Sequence, residues 1–469
     1  MVTPIDPTSV AFLYAESRKQ PMHVGGLQLF EKPAGAGDNY AREIYEASTT
    51  SEAEIAPLFL KRPKRSLTTA GQFVWEHDTQ FDIEHHVRHS ALPQPGRVRE
   101  LLDLCSRLHS QRLGRERPLW ESHIIEGLND GRIAVYTKMH HGLVDGISAM
   151  RLMANSMSSD PDERDMPPLW AARPARAKVE KARATTQQSL SEVPLSALRS
   201  ALAVSADAAG MPGALVKTLN KSLRNETSAL SLYAPRTMFN QPITGSRRFA
   251  GQQWEIARMT SIGKATGTTI NDVVLAMCSG ALRQYLLDFD ALPDASMVSM
   301  VPVGLHAKAP SNASADGGNA VGSVMVQLGT DLADPGDRLA NIHRSMKAGK
   351  AALASMTPTQ IMAMSALGMT PSFLIPMLRL QGVVRPPFNV AISNVPGSRT
   401  TQYFNGAKQV GQYPLSIPIN GVALNITCVS YDGNMGFGLT GCRRTVPHLQ
   451  RLLTYLDDEL AALEKAAGL

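Results

Sequence analysis

One change of periodicity constrains this chain more than any other feature. In RIAVYTKMHH, residues 132–141, the pattern reads as a strand, with Ile133, Val135, Thr137, Met139 and His141 on one face and Ala134, Tyr136, Lys138 and His140 on the other. A tight turn, GLVD, follows, and Gly146 then opens a stretch in which Ile147, Met150, Ala154 and Met157 recur at helical spacing. A strand that passes through one turn into a helix belongs to an α/β architecture. It also leaves a helix N-terminus beside two histidines that point to opposite sides of a sheet. Two ligands of one metal ion must converge, so this geometry argues against a shared metal site.

The turn has the ingredients of acid–base chemistry. A neutral imidazole takes a proton from a hydroxyl and returns it to a leaving group within one turnover. Asp145 either orients a ring by accepting its N–H or fixes the turn through an arginine. Gly146, lacking a Cβ, permits close approach of substrate or backbone, and free N–H groups at the helix start favour negative charge. Against this stands the more ordinary reading, in which a histidine pair serves packing or capping. The combination of His-His with Asp-Gly at this spacing, in a chain with 12 histidines, tips the balance toward catalysis.

With 469 residues the chain exceeds what one hydrophobic core usually supports, so two domains are expected. The sharpest compositional break begins at Ser158, where Pro, Ala and charged residues suggest a solvated linker. Domains are therefore expected over 1–175 and 236–469, joined by a crossover with helices over 176–235. Strands are expected in MHVGGLQLF, FNVAISNVP and ALNITCVSYDGNMGFGLTG, and helices in VRELLDLCSRLHSQRL and near 270–288 and 336–354. The Met-rich stretch 361–382 suits core packing, an acyl-chain lining or interfacial attachment with Arg379 and Arg385 nearby.

The 47 Lys and Arg against 41 Asp and Glu leave a scattered formal charge of +6, which suits an anionic lipid surface or a phosphate-bearing ligand better than nucleic acid. Four dispersed cysteines suggest neither disulfides nor a zinc knuckle, and a reducing compartment fits them. No secretion signal and no apolar run of membrane-spanning length is apparent. His85, His86 and His89 in EHHVRH tempt a metal reading, but on a strand only alternate residues converge. No GxSxG elbow surrounds Ser148 or Ser279, which disfavours a serine hydrolase.

Several separated motifs, in order, resemble the bacterial wax ester synthase/acyl-CoA:diacylglycerol acyltransferases of the HHxxxDG superfamily. They are PIDPTSVAFL, PMHVGGLQLF, FDIEHHVRHSALP, RPLWE, MHHGLVDG, FNQPITGSRR, TTINDVVLA and ISNVPGS, and they span nearly the whole chain. The resemblance implies an α/β fold of two chloramphenicol-acetyltransferase-like sandwich domains with an active-site tunnel between them. It implies an acyl-CoA donor, a lipid alcohol as acceptor, no cofactor and no metal. On that pattern His141 is the base for direct attack on the thioester, and His140, pointing the other way, is structural. Asp145 pairs with an arginine, for which Arg62 and Arg65 are candidates. Gly146 and Asn271 complete the reacting centre, while Gly142, Trp120, Asp272, Ser393 and Asn394 are the expected substrate contacts, Trp120 being equally a packing element. The implied location is cytoplasmic, attached peripherally to the inner membrane face or to lipid inclusions. A carrier-bound donor and a catalytically idle lipid binder are the rival readings.

Overall fold

Alternating and helical stretches of the sequence settle into two six-stranded sheets faced by helices, with a small three-stranded sheet at one corner. The computed structural model describes residues 2–66, 69, 71–172, 234–304, 321–354, 356, 361 and 385–469. The crossover expected over 176–235 therefore lies outside the described residues as far as 233, and so does all of the Met-rich stretch 361–382 except Ile361.

The first half contains β1 (Val2–Pro4), α1 (Pro7–Ala15), β2 (His23–Glu31), α2 (Tyr40–Thr49), β3 (Lys61–Lys64), β4 (Val74–His77), α3 (Ile83–His86), β5 (Val87–Ala91), α4 (Val98–Ser110), β6 (Trp120–Glu126), β7 (Ile133–His140) and α5 (Gly146–Asn155). The second half contains β8 (Arg247–Glu255), α6 (Ile256–Thr266), α7 (Ile270–Asp288), β9 (Val298–Gly304), β10 (Val321–Gln327), α8 (Pro335–Ala354), β11 (Val390–Val395), β12 (Tyr403–Phe404), β13 (Ala407–Leu415), β14 (Leu424–Tyr431), β15 (Asn434–Cys442) and α9 (Arg451–Ala466).

The expected faces of β7 appear as expected. Ile133 and Met139 enter one core, while Ala134 and Tyr136 enter another on the opposite face. The first sheet runs β12-β13-β2-β7-β6-β5 and the second β10-β9-β11-β14-β15-β8. The second half of the chain does not keep to itself: β13 pairs antiparallel with β2, placing Tyr413 opposite Leu27 and Leu415 opposite Gly25. Residues 403–415 thus extend the first sheet.

Glycine lets the two sheets meet. In β15 a Cβ on Gly436 would lie 2.2 Å from the Gln412 carbonyl oxygen, and one on Gly438 would lie 1.8 Å from that of Pro414. Only bare backbone fits there. The edge of the second sheet is closed by α4, whose Ser106 and Ser110 hydroxyls accept the backbone N–H groups of Phe249 (2.9 Å) and Arg247 (2.8 Å) in β8. Side-chain hydroxyls thereby satisfy an edge that would otherwise be free to pair. Helices α6 to α9 cover the opposite face of the second sheet, around Ile392, Ile426, Cys428, Phe437 and Leu439.

The stretch after Ser158 departs from the expected solvated linker as far as residue 172. Ser158 pairs with Tyr403, Ala171 with Ile55, and Trp170 is buried against Trp120 with ring centroids 5.4 Å apart. One large aromatic side chain outweighs the Pro-rich, charged residues that precede it. EHHVRH also differs: His85 and His86 close a single helical turn, and the strand begins only at Val87.

Candidate active site

The turn between β7 and α5 is organised by its own backbone. The N–H groups of Leu143 and Val144 donate to the His140 carbonyl at 2.8 and 3.2 Å, and the Gly142 N–H donates to His140 Nδ1 at 3.0 Å. Gly142 is needed for packing, because a Cβ there would come within 2.9 Å of the Ser9 carbonyl oxygen in α1. The Asp145 side chain caps α5, accepting the Ser148 N–H at 2.6 Å. Gly146 begins that helix, and a Cβ added to it would meet nothing within 4 Å.

His141 leaves the strand where this turn begins. Its backbone N–H donates to the Met22 carbonyl at 2.8 Å, and its ring stacks on Phe12 of α1 with centroids 4.1 Å apart. Nδ1 is buried without a partner, whereas the ring as a whole keeps partial exposure, so Nε2 is the nitrogen open to a substrate. Burial pushes the pKa of this imidazole below the ordinary histidine value, and the Asp145 carboxylate pulls it back upward. A neutral ring with one accessible nitrogen is a proton acceptor at physiological pH.

His140 is a different kind of histidine. It is fully buried, and burial, reinforced by the neighbouring His141 and Arg115, pushes its pKa down to about 3. Because Nδ1 accepts from Gly142, the neutral ring carries its proton on Nε2, which points at Glu16 Oε1 across 3.7 Å. Neither atom has a hydrogen-bond partner. The other carboxylate oxygen of Glu16 accepts from Arg115 Nε (3.1 Å) and Nη2 (3.0 Å), and Arg115 also donates to the Leu13 carbonyl. Glu16, Arg115, Phe12 and Met22 were not among the residues singled out from sequence. Glu16, alone at the end of the otherwise apolar helix PTSVAFLYA, was the available signal.

The remaining expected residues separate by position. On β11 and β14, Val395 and Val429 pack against Met150 and Met153 of α5, while the alternate residues Ile392, Ile426 and Cys428 enter the core of the second half. Ser393, paired with Thr427, therefore faces the seam between the halves, with Asn425 on the same face. Asn394 shares the face of Ile392 and points away from the seam. Asp272 is buried in a capping box with Thr269 and accepts from His343 Nδ1 at 2.9 Å, so its carboxylate is committed to α7 and α8. Asn271 lies in the first turn of α7, on the face of the second sheet turned away from the first half. Trp120 is fully buried, donates its indole N–H to the Phe59 carbonyl and stacks on His86; it has no surface for a substrate. Neither arginine candidate reaches Asp145: Arg62 binds Glu76 and the Glu116 carbonyl, and Arg65 binds the Gly71 carbonyl. His86 donates to the Trp120 carbonyl, and among the described residues no three His, Cys, Asp or Glu side chains gather as metal ligands.

Two six-stranded α/β halves, joined through β13 and packed together through α5, are the architecture of an acyltransferase of this fold. Residues 5–274 match the wax ester synthase/diacylglycerol acyltransferase catalytic domain, and residues 317–464 match the C-terminal domain of the same family. The chain belongs to the wax ester synthase/diacylglycerol acyltransferase family and is an O-acyltransferase. It is 46% identical over 465 residues to a putative diacylglycerol O-acyltransferase of Mycobacterium tuberculosis, covering 99% of this chain and 100% of that one. Its structure is similar to that of the wax ester synthase/diacylglycerol acyltransferase from Marinobacter aquaeolei VT8, with a TM-score of 0.78, 42% identity and full coverage of both chains. The first condensation domain of the calcium-dependent antibiotic synthetase shares the fold, at a TM-score of 0.59 and 16% identity over 100% of this chain and 96% of that domain.

Proposed function

We propose that the protein transfers a long acyl group from acyl-CoA to the hydroxyl of diacylglycerol, and to a fatty alcohol as a second acceptor, with His141 as the general base. Nε2 of His141 takes the hydroxyl proton as the oxygen attacks the thioester carbonyl; the C–S bond breaks, and the proton passes to the departing thiolate. No covalent acyl-enzyme is needed. The observation that carries this reading is the state of His141: neutral by burial, fixed by Met22 and Phe12, and open at one nitrogen. Its relatives' names, which specify diacylglycerol acyl transfer and wax ester synthesis, supply the acceptor classes. Ser393, Thr427 and Asn425 supply the polar groups on the facing wall. A lipid acceptor also calls for work at a lipid surface; among the described residues no helix is long and apolar enough to cross a membrane.

The test is release of free CoA thiol from palmitoyl-CoA, with dioleoylglycerol or hexadecanol as acceptor. Acceptor-dependent release should fall about 10²- to 10⁴-fold in His141→Ala, the range of a general base. Equal turnover in a folded His141→Ala protein would refute the assignment. Lack of release with either alcohol would favour a carrier-bound donor, or lipid binding without chemistry.

A further inference from the structure

We propose that the outer face of the three-stranded sheet, together with the exposed side of α1, is the surface that docks on anionic lipid and brings the acceptor alcohol to His141. This rests on the reading that the acceptor is a lipid, and it names where that lipid is met.

The sheet is two-faced. Its strand order is β1-β4-β3, and the register sets Val2 opposite Glu76, which lies opposite Arg62, and Pro4 opposite Val74, which lies opposite Lys64. Trp75 and Pro63 occupy the other face and are buried. Val2, Pro4, Val74, Arg62 and Lys64 therefore share the outward face. Only five large apolar side chains are exposed among the described residues, and two of them, Val2 (55%) and Tyr14 (58%), stand in this corner. Two exposed aliphatic or aromatic groups would mean little alone. Their surroundings give them meaning.

Cations stand near each of them. On β3, Arg62 and Lys64 stand on the outward face and hold Glu76, the one carboxylate of the sheet, Lys61 shares the face of Pro63, and Arg65 follows the end of the strand. The Arg65 guanidinium stands 5.7 Å over the Tyr14 ring and 5.2 Å over that of Phe73. An exposed tyrosine with its ring against Phe73 and an arginine on a long stem over it, beside a sheet face that carries Arg62 and Lys64, matches the boundary between acyl chains and anionic headgroups. A protein partner would need a complementary acidic, apolar surface; a lipid bilayer offers both chemistries at once.

The same helix reaches the imidazole. Phe12, two residues before Tyr14, stacks on His141; the Ser9 carbonyl lies against Gly142; and Glu16, which caps the end of α1, faces His140. Phe12 and Tyr14 are two residues apart and so stand on different sides of α1, one against His141 and the other exposed, with a rise of only about 3 Å between them along the axis. Helix α1 therefore carries the proposed docking surface on one side and the contact with His141 on the other.

Vesicle flotation tests the proposal, using phosphatidylcholine vesicles with and without phosphatidylglycerol. The wild-type protein should float with the anionic vesicles and lose that binding at high salt. Tyr14→Ser and, separately, Lys64→Glu should each weaken binding about fivefold or more, while Leu287→Ser, which removes an exposed apolar group elsewhere, should not. Turnover of a water-soluble short-chain alcohol should be unchanged in all three. Failure of the wild type to bind anionic vesicles, or equal binding by both corner variants, would overturn the docking surface. Loss of short-chain turnover in the wild type would instead count against the acyl-transfer reading.

Discussion

At the residue scale, the two adjacent histidines differ because one stands in a strand and the other in a turn. His140 remains in the pleat, buried, with its tautomer set by the Gly142 N–H. His141 leaves the pleat and exposes one nitrogen. The carboxylate nearest it acts in two ways, capping α5 and raising the His141 pKa against burial. Asp145→Asn preserves a capping oxygen but removes the charge. The pKa of His141 should then fall further, so the acidic limb of kcat/KM should move to lower pH while the melting temperature changes little. An unmoved or upward-shifted limb would separate Asp145 from the base. Glu16→Ala makes a different prediction. It leaves the Arg115 guanidinium, about one-third exposed, without its carboxylate, and should cost about 1.5–3 kcal/mol of stability, measured by denaturant unfolding.

At the scale of elements, close contacts between backbones matter more than individual side chains. Gly438→Ala places a methyl group 1.8 Å from the Pro414 carbonyl oxygen, and the two sheets must part to admit it. Destabilisation of about 1–3 kcal/mol, or failure to fold, is expected. Gly146→Ala is the informative contrast, because its added methyl group meets only open space. Replacing glycine in a helix by alanine should leave stability equal or raise it by about 0.5–1 kcal/mol, while kcat/KM falls as the methyl group enters the space beside His141. Equal loss of stability in the two variants would contradict this account. These elements also show what the sequence made legible. The helices over 98–110 and 270–288, and the strand over 133–140, follow from local spacing and lie where that spacing places them. Helix α9 was readable too, since Leu452, Leu456, Leu460 and Leu463 are spaced for one buried face, though it was not singled out. The pairing of β13 with β2 was not legible: it joins residues nearly the whole chain apart, and no local pattern records it. Asp272 misled for a related reason, because its partner His343 stands on another helix.

At the scale of the whole molecule, histidines buried in the neutral state couple the stability of the seam to pH. His109, near the end of α4, faces the Tyr136 hydroxyl through Nδ1 and the Ser416 carbonyl of the second half through Nε2. Burial pushes its pKa down to about 3, as it does that of His140. In the unfolded chain both would take up protons near the ordinary histidine value of about 6.5. Between that pH and about 3 the unfolded state binds more protons, so stability is intact above about 6.5 and is lost as pH falls. Each group contributes a slope of about 1.4 kcal/mol per pH unit. Two such groups at pH 5 remove about 4 kcal/mol, a large share of the roughly 5–15 kcal/mol that holds a typical domain together. Denaturant midpoints should therefore drop steeply between pH 7 and 5. His109→Gln should be weaker than wild type at pH 7, since it disturbs the link between α4 and Ser416, yet its midpoint should depend less on pH by about one proton's worth of slope. A variant that kept the full wild-type slope would show that acid opens the molecule elsewhere; a shallower slope would place part of its acid sensitivity at the junction of the two halves, where His109 meets Ser416.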